Sequence, residues 1–299
     1  MLADIIWKER KQLKTVYNLH PVVSFLYYLL AIVFSVCIMH PVCIVLSVFG
    51  SLLLSVKLSG KKMLKFYLMF ILPTAIIAAI LNPLFNHQGV TVLTYFPNGN
   101  PLTKESLLYG FAASGMIASV MSWFYSFNLI MTGDKIVYLF GKVTPSLSLL
   151  ISMILRFVPN FKRQIKEIYE VQKGMGIYKK NKFKTLLAVL SAEITVALES
   201  SVTTSDSMKS RGYGTAKRTF YSCYTMRKFD IAVLIFVSVT SIAVILLWIL
   251  GAFKALFYPV IAVNDMSALS CVVYGVFCFL PFILECTEEI RWNVLKSKI

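Results

Sequence analysis

Residues 22–56 read VVSFLYYLLAIVFSVCIMHPVCIVLSVFGSLLLSV and contain no Asp, Glu, Lys or Arg. As helix, each side of His40-Pro41 approaches the roughly 20 residues that cross a bilayer. The two halves are short and meet at a proline, which predicts a tight helical hairpin with spans at 22–39 and 41–57. Further apolar runs at 63–81, 107–131, 229–250 and 268–285 bring the expected number to about six. The whole chain agrees. Of its 299 residues 58% are hydrophobic and 15% charged, whereas soluble chains run nearer half apolar and a quarter charged. Backbone groups in lipid must be satisfied within their own segment, which excludes an open sheet. The fold class read here is an all-α polytopic membrane protein.

The net charge of +16 is placed asymmetrically. With the N-terminus inside and six spans, every Lys and Arg except Lys104 and Lys254 falls on one side. That is the positive-inside pattern, and it puts both termini in the cytoplasm. The same charge suits anionic lipid headgroups, so no nucleic-acid partner is expected. The start, MLADIIWKERKQLK, is charged and does not read as a cleavable signal peptide. Of the six cysteines, Cys37, Cys43, Cys271 and Cys278 lie in apolar runs, where cysteine acts as a small hydrophobe. Cys223 and Cys286 fall on the inner side, and no pair has metal-ligand spacing.

Three regions follow: an N-terminal membrane region (residues 1–131), an inner region (132–228) and a C-terminal membrane region (229–299). The outer loop 82–106 alternates over VTVLTYFPNGN, which predicts a short hairpin turning at Asn98-Gly99. Thr103 is placed to cap the next helix. Within the inner region TPSLSLLISMILRFVP (144–159) is too short to cross unaided and is expected at the interface or beside a span. Residues 160–175 put Phe161, Ile165, Ile168 and Met175 on one helical stripe with charges around it. A second helix from Phe183 repeats Leu187, Leu190, Ile194, Ala197, Ser201, Ser205 and Met208 at spacings of three and four. Its many small hydroxyl residues favour close helix crossing. Ile165, Ile168, Leu190, Ile194, Ala197, Ser201 and Met208 are therefore the expected packing residues of a pair or trio of long amphipathic helices.

Self-sufficient chemistry is missing from the sequence. It has no GxxxxGK[ST] phosphate loop, no HExxH and no nucleophile elbow. His20 and His40 each precede a proline at a span start, which suggests boundary roles. No acidic or basic residue is expected at mid-membrane depth, where ion-coupled transporters place their pathway groups. The membrane portion reads as scaffold. The alternative is a self-contained permease or membrane-embedded enzyme with its own substrate site.

The chain resembles the transmembrane T component of energy-coupling factor (ECF) transporters, ABC-type importers of vitamins and metal ions. The segments that carry the resemblance are LHPVVSFLYYLLAIVFSV (19–36), MHPVCIVLSVFGSLLLSVKLSG (39–60), NPLFNHQGVTVLTYFPNGNPLTKESLLYGFAASG (82–115) and TPSLSLLISMILRFVPNFKRQIKEIYEVQKGMG (144–176). The family ends two cytoplasmic coupling helices in Ala-Arg-Gly-like motifs. Ser210-Arg211-Gly212 matches the second, and Gly174-Met175-Gly176 stands in register with the first, with methionine replacing arginine. The resemblance implies a non-enzymatic subunit of a bacterial or archaeal cell membrane. It implies docking of two ABC-type ATPases at these tips, with ATP and Mg on those partners and no cofactor on this chain. A separate substrate-binding S component would be the further membrane partner in micronutrient uptake. The small residues of GFAASGMIAS (110–119) serve either to seat that subunit or for internal packing.

Overall fold

The computed structural model describes residues 15–95, 100–143, 145–176, 182–215, 224–263 and 267–296. The expected all-α architecture is what it shows, with two very short β ladders beside the helices. The chain divides into two compact units, residues 1–132 with 224–299, and residues 133–223.

The first unit holds the helices α1 (Pro21–Cys37), α2 (Pro41–Ser59), α3 (Lys61–Phe85), α4 (Lys104–Ile130), α8 (Lys228–Ile249) and α9 (Ala268–Lys296). Their boundaries follow local chemistry. Pro21 and Pro41 occupy first turns, where a missing N–H costs nothing. His20 caps α1, its Nδ1 accepting the Val22 N–H at 3.3 Å. Thr103 caps α4, its hydroxyl accepting the Ser106 N–H at 3.3 Å. The outer hairpin pairs β1 (Val92–Tyr95) with β2 (Pro101–Thr103), antiparallel. Its expected turn at Asn98-Gly99 lies outside the described residues. The span expected at 63–81 belongs to the longer α3, which contains a π-helical turn at Tyr67–Ile71.

Packing in this unit rests on small residues and buried hydroxyls. A Cβ on Gly50 would lie 3.1 Å from the Cys278 carbonyl oxygen, so α2 and α9 run close together. Gly110 and Gly115 of α4 sit more tightly still, with a Cβ 2.7 Å from the Ala79 carbonyl oxygen of α3 and 2.6 Å from the Ile44 side chain of α2. Those two glycines of the small-residue run thus serve internal packing. Ser35 and Ser47 share a hydrogen bond at 2.8 Å, and Ser47 also accepts the indole N–H of Trp123 at 3.0 Å. Ser55 and Ser126 meet at 2.6 Å between α2 and α4. Around Trp123 stand Tyr27, Tyr28, Phe34 and Phe277, buried and mostly in edge or tilted ring contact. Pro281 interrupts α9 and cannot donate to the carbonyl one turn earlier. The Tyr27 hydroxyl takes that place, donating to the Phe277 carbonyl at 3.2 Å.

The spans expected at 229–250 and 268–285, read as lacking acidic groups at mid-membrane depth, do carry Asp230 and Glu285 at their ends. Glu105, Asp230 and Glu285 lie within helices and are buried. Asp230 accepts from the Arg227 N–H at 3.1 Å and the His20 N–H at 3.3 Å, and Glu285 accepts from the Val16 N–H at 3.2 Å. These two carboxylates therefore satisfy backbone donors that a terminus would otherwise leave open.

The second unit contains α5 (Gly133–Val143), α6 (Pro145–Gly174) and α7 (Lys182–Ser210). The stretch expected at 144–159 does not stand alone. From Pro145 onward it forms the first half of α6, which runs on through Pro159. Its inward stripe is continuous across the proline: Phe157 and Phe161 stack at 5.9 Å, and Gln164, Ile165 and Ile168 continue it half-buried. The Ser148 hydroxyl donates to the Val137 carbonyl at 3.2 Å, tying α6 to α5.

Among the described residues six helices are long and apolar enough to cross a membrane: α2, α3, α4, α8, the Ala268–Arg291 stretch of α9, and Phe183–Ser210 of α7. Helix α1, with 17 residues, is slightly shorter. The protein is a multi-pass membrane protein.

Candidate docking tips of the two long helices

Helices α6 and α7 pack on one another and end in the same geometry. At the end of α7 the Gly212 N–H donates to the Lys209 carbonyl at 2.9 Å, and the Tyr213 N–H to the Met208 carbonyl at 3.0 Å. These two bonds, with Gly212 at φ +82, make a Schellman cap. Arg211 is the C-cap residue and is exposed. At the end of α6 the Gly176 N–H donates to the Lys173 carbonyl at 3.2 Å, with Gly176 at φ +71. Met175 therefore occupies the position in α6 that Arg211 occupies in α7, and it is 61% exposed. A side chain at either position would have to adopt the left-handed region if glycine were replaced, which is why glycine follows each tip. Gly174 and Ser210 are the last helical residues, both exposed.

The shafts behind the tips differ. On α6, Arg163 pairs with Glu167 at 3.6 Å and Lys166 with Glu170 at 3.8 Å, exposed ladder contacts worth a few tenths of a kcal/mol each, about 0.3–0.5. On α7 the hydroxyls of Ser200, Ser201, Thr203, Thr204 and Ser210 donate to carbonyls of their own helix three or four residues back. They lower the polarity of that surface without reaching outward.

Among the expected packing residues, Ile165, Ile168, Ala197 and Met208 are half-buried. Leu190, Ile194 and Ser201 are exposed in the chain by itself, Leu190 at 37% and Ile194 at 59%. The line of α7 that loses most exposure is Thr185, Val189 and Glu193, with Ala188 and Ala192 beside it. Two charged residues here had no sequence signal. Glu193 is 6% exposed, and neither carboxylate oxygen has a hydrogen-bond partner among the described residues. Lys135 of α5 is buried, and burial pushes its amine down to about 8. Among the described residues no group of His, Cys, Asp and Glu is arranged to hold a metal ion.

The protein is thus an all-helical multi-pass membrane protein whose second unit contains two long helices with matched tips. The chain belongs to the CbiQ cobalt transport protein family, which matches residues 14–221 and so includes both tips. That is the family of ECF transporter T components. A comparison with curated proteins finds no match.

Proposed function

We propose that this chain is the coupling subunit of an ECF importer. ATP-driven closure of two cytoplasmic ABC-type ATPases moves the Met175 and Arg211 tips. Helices α6 and α7 carry that motion to the membrane unit, which reorients a separate substrate-binding membrane subunit. The observation that carries the reading is the equivalence of the tips: two long helices, each closed by a left-handed glycine, each presenting one exposed C-cap side chain. A guanidinium offers bidentate, charge-assisted contact to a carboxylate. Methionine offers flexible apolar contact instead. Docking is thus asymmetric, an ion pair through Arg211 on one ATPase and an apolar contact through Met175 on the other.

In this reading α1 crosses the membrane and α7 does not. A crossing by α7 would place Arg211, Lys217, Arg218, Arg227 and Lys228 on the outside, against the positive-inside rule. Helix α7 also carries Glu193, Glu199 and Asp206 along its length, which suits water and protein more than lipid. Cysteine labelling of intact cells with a membrane-impermeant reagent tests the topology. Labels at positions 210–215 only after permeabilisation are expected, and labelling in intact cells refutes the inner placement. Co-purification of the tagged chain with its cell's ABC-type ATPases tests the assembly. Two ATPases and a second membrane protein are expected in the complex; transport by this chain alone would favour a self-contained permease.

A further inference from the structure

A separate cluster joins α2 to α9. Lys57, in the last turn of α2, places Nζ 2.8 Å from Cys286 Sγ and 2.9 Å from Glu289 Oε2. The ring of Phe282 lies below it, 5.3 Å from Nζ to the centroid. Phe282, Cys286 and Glu289 follow at i−4, i and i+3 along one face of α9. The amine therefore meets the sulfur, a carboxylate and a ring on that one face. The seam itself is fixed two turns earlier, where Gly50 allows the α2 backbone to approach Cys278. Cys286 and Lys57 are half-buried, open to a small oxidant. Cys43 and Cys278 are fully buried among apolar neighbours.

We propose that Lys57 and Cys286 form a reversible oxidative cross-link that locks α2 to α9. The oxidant is hydrogen peroxide. The thiol sulfur gives up two electrons as the O–O bond breaks, yielding a sulfenic acid and one water. The Lys57 nitrogen, in the fraction that has lost its ammonium proton to solvent, then attacks that sulfur. The S–N bond forms as the S–O bond breaks, and the oxygen leaves as a second water. A sulfenic acid next to a nitrogen nucleophile condenses in this way. A dithiol reductant returns the two electrons and restores thiol and amine. The link is independent of ATPase docking and acts on the membrane unit alone.

The experiment is mass spectrometry of the full-length chain in detergent, treated with dilute hydrogen peroxide and then with dithiothreitol. The expected product joins the peptides carrying Lys57 and Cys286 and is lighter than their sum by two hydrogens. Dithiothreitol separates the peptides, and both Cys286→Ser and Lys57→Arg abolish the product. The arginine variant keeps a cation beside Glu289 but no amine able to attack, so its loss of product separates chemistry from packing. Recovery of Cys286 as an uncross-linked sulfinic or sulfonic acid, with Lys57 unmodified, overturns the proposal.

Discussion

Replacing Gly212 with alanine tests the geometry of the tip without touching Arg211. Gly212 sits at φ +82, and an added Cβ would meet only Thr215 Oγ1 at 3.3 Å. Space is therefore not the obstacle; backbone conformation is. An L-residue in the left-handed region costs about 1–2 kcal/mol. The free chain can relieve that cost by unwinding its last turn, giving up the Gly212 and Tyr213 hydrogen bonds. A partner that needs the capped tip must then restore it on binding. The cost reappears as weaker association, about 5-fold to 30-fold. Gly174→Ala is the matched control, since Gly174 is helical with nothing within 4 Å of its Cβ direction. Alanine there should be neutral to the tip and favour the helix by up to about 1 kcal/mol. The assay is ATPase affinity for the full-length chain in nanodiscs. Wild-type affinity in Gly212→Ala refutes the view that a shaped tip is what the ATPase recognises.

Tyr27→Phe removes the only hydroxyl described at the Phe277 carbonyl freed by Pro281. A loss of about 1 kcal/mol is expected, read as a lower thermal midpoint in detergent; an unchanged midpoint contradicts the role assigned to Tyr27. Lys135 makes the second unit pH-sensitive. With its folded pKa near 8 and its unfolded value near about 10.4, it binds fewer protons folded than unfolded between those values. Stability therefore rises with pH from about 8 to about 10 and is flat below, where the amine is charged in both states. Lys135→Met should remove that slope in thermal melts taken across the window, and a slope that survives refutes the assignment.

Features governed by neighbours in sequence were legible before the structure. Pro21, Pro41 and Thr103 mark helix starts through first-turn chemistry, and Gly212 marks a helix end through the left-handed conformation it alone adopts freely. The register of Met175 with Arg211 came from the resemblance to the family's paired motifs. Features set by distant neighbours were not. Pro159 reads as a break because it removes one hydrogen bond, yet the apolar stripe from Phe157 to Ile168 continues across it and holds α6 together. On α7 the large residues Leu190 and Ile194 dominate the periodic pattern. The face that loses exposure is instead the one with alanines at 188 and 192, where a second helix can approach closely. Glu193 follows from that rotation. Lys57 and Cys286 stand 229 residues apart and share no local signal.

The central claim is that Arg211 anchors one ATPase by charge. Its most direct test is the affinity of the ATPase pair for the full-length chain carrying Arg211→Glu, with Met175→Ala measured alongside. Loss of a desolvated arginine–carboxylate contact costs about 2–5 kcal/mol, so a fall of at least about 30-fold is expected, with a smaller fall for Met175→Ala. Equal losses for the two variants contradict asymmetric docking, and wild-type affinity in Arg211→Glu contradicts the anchor itself.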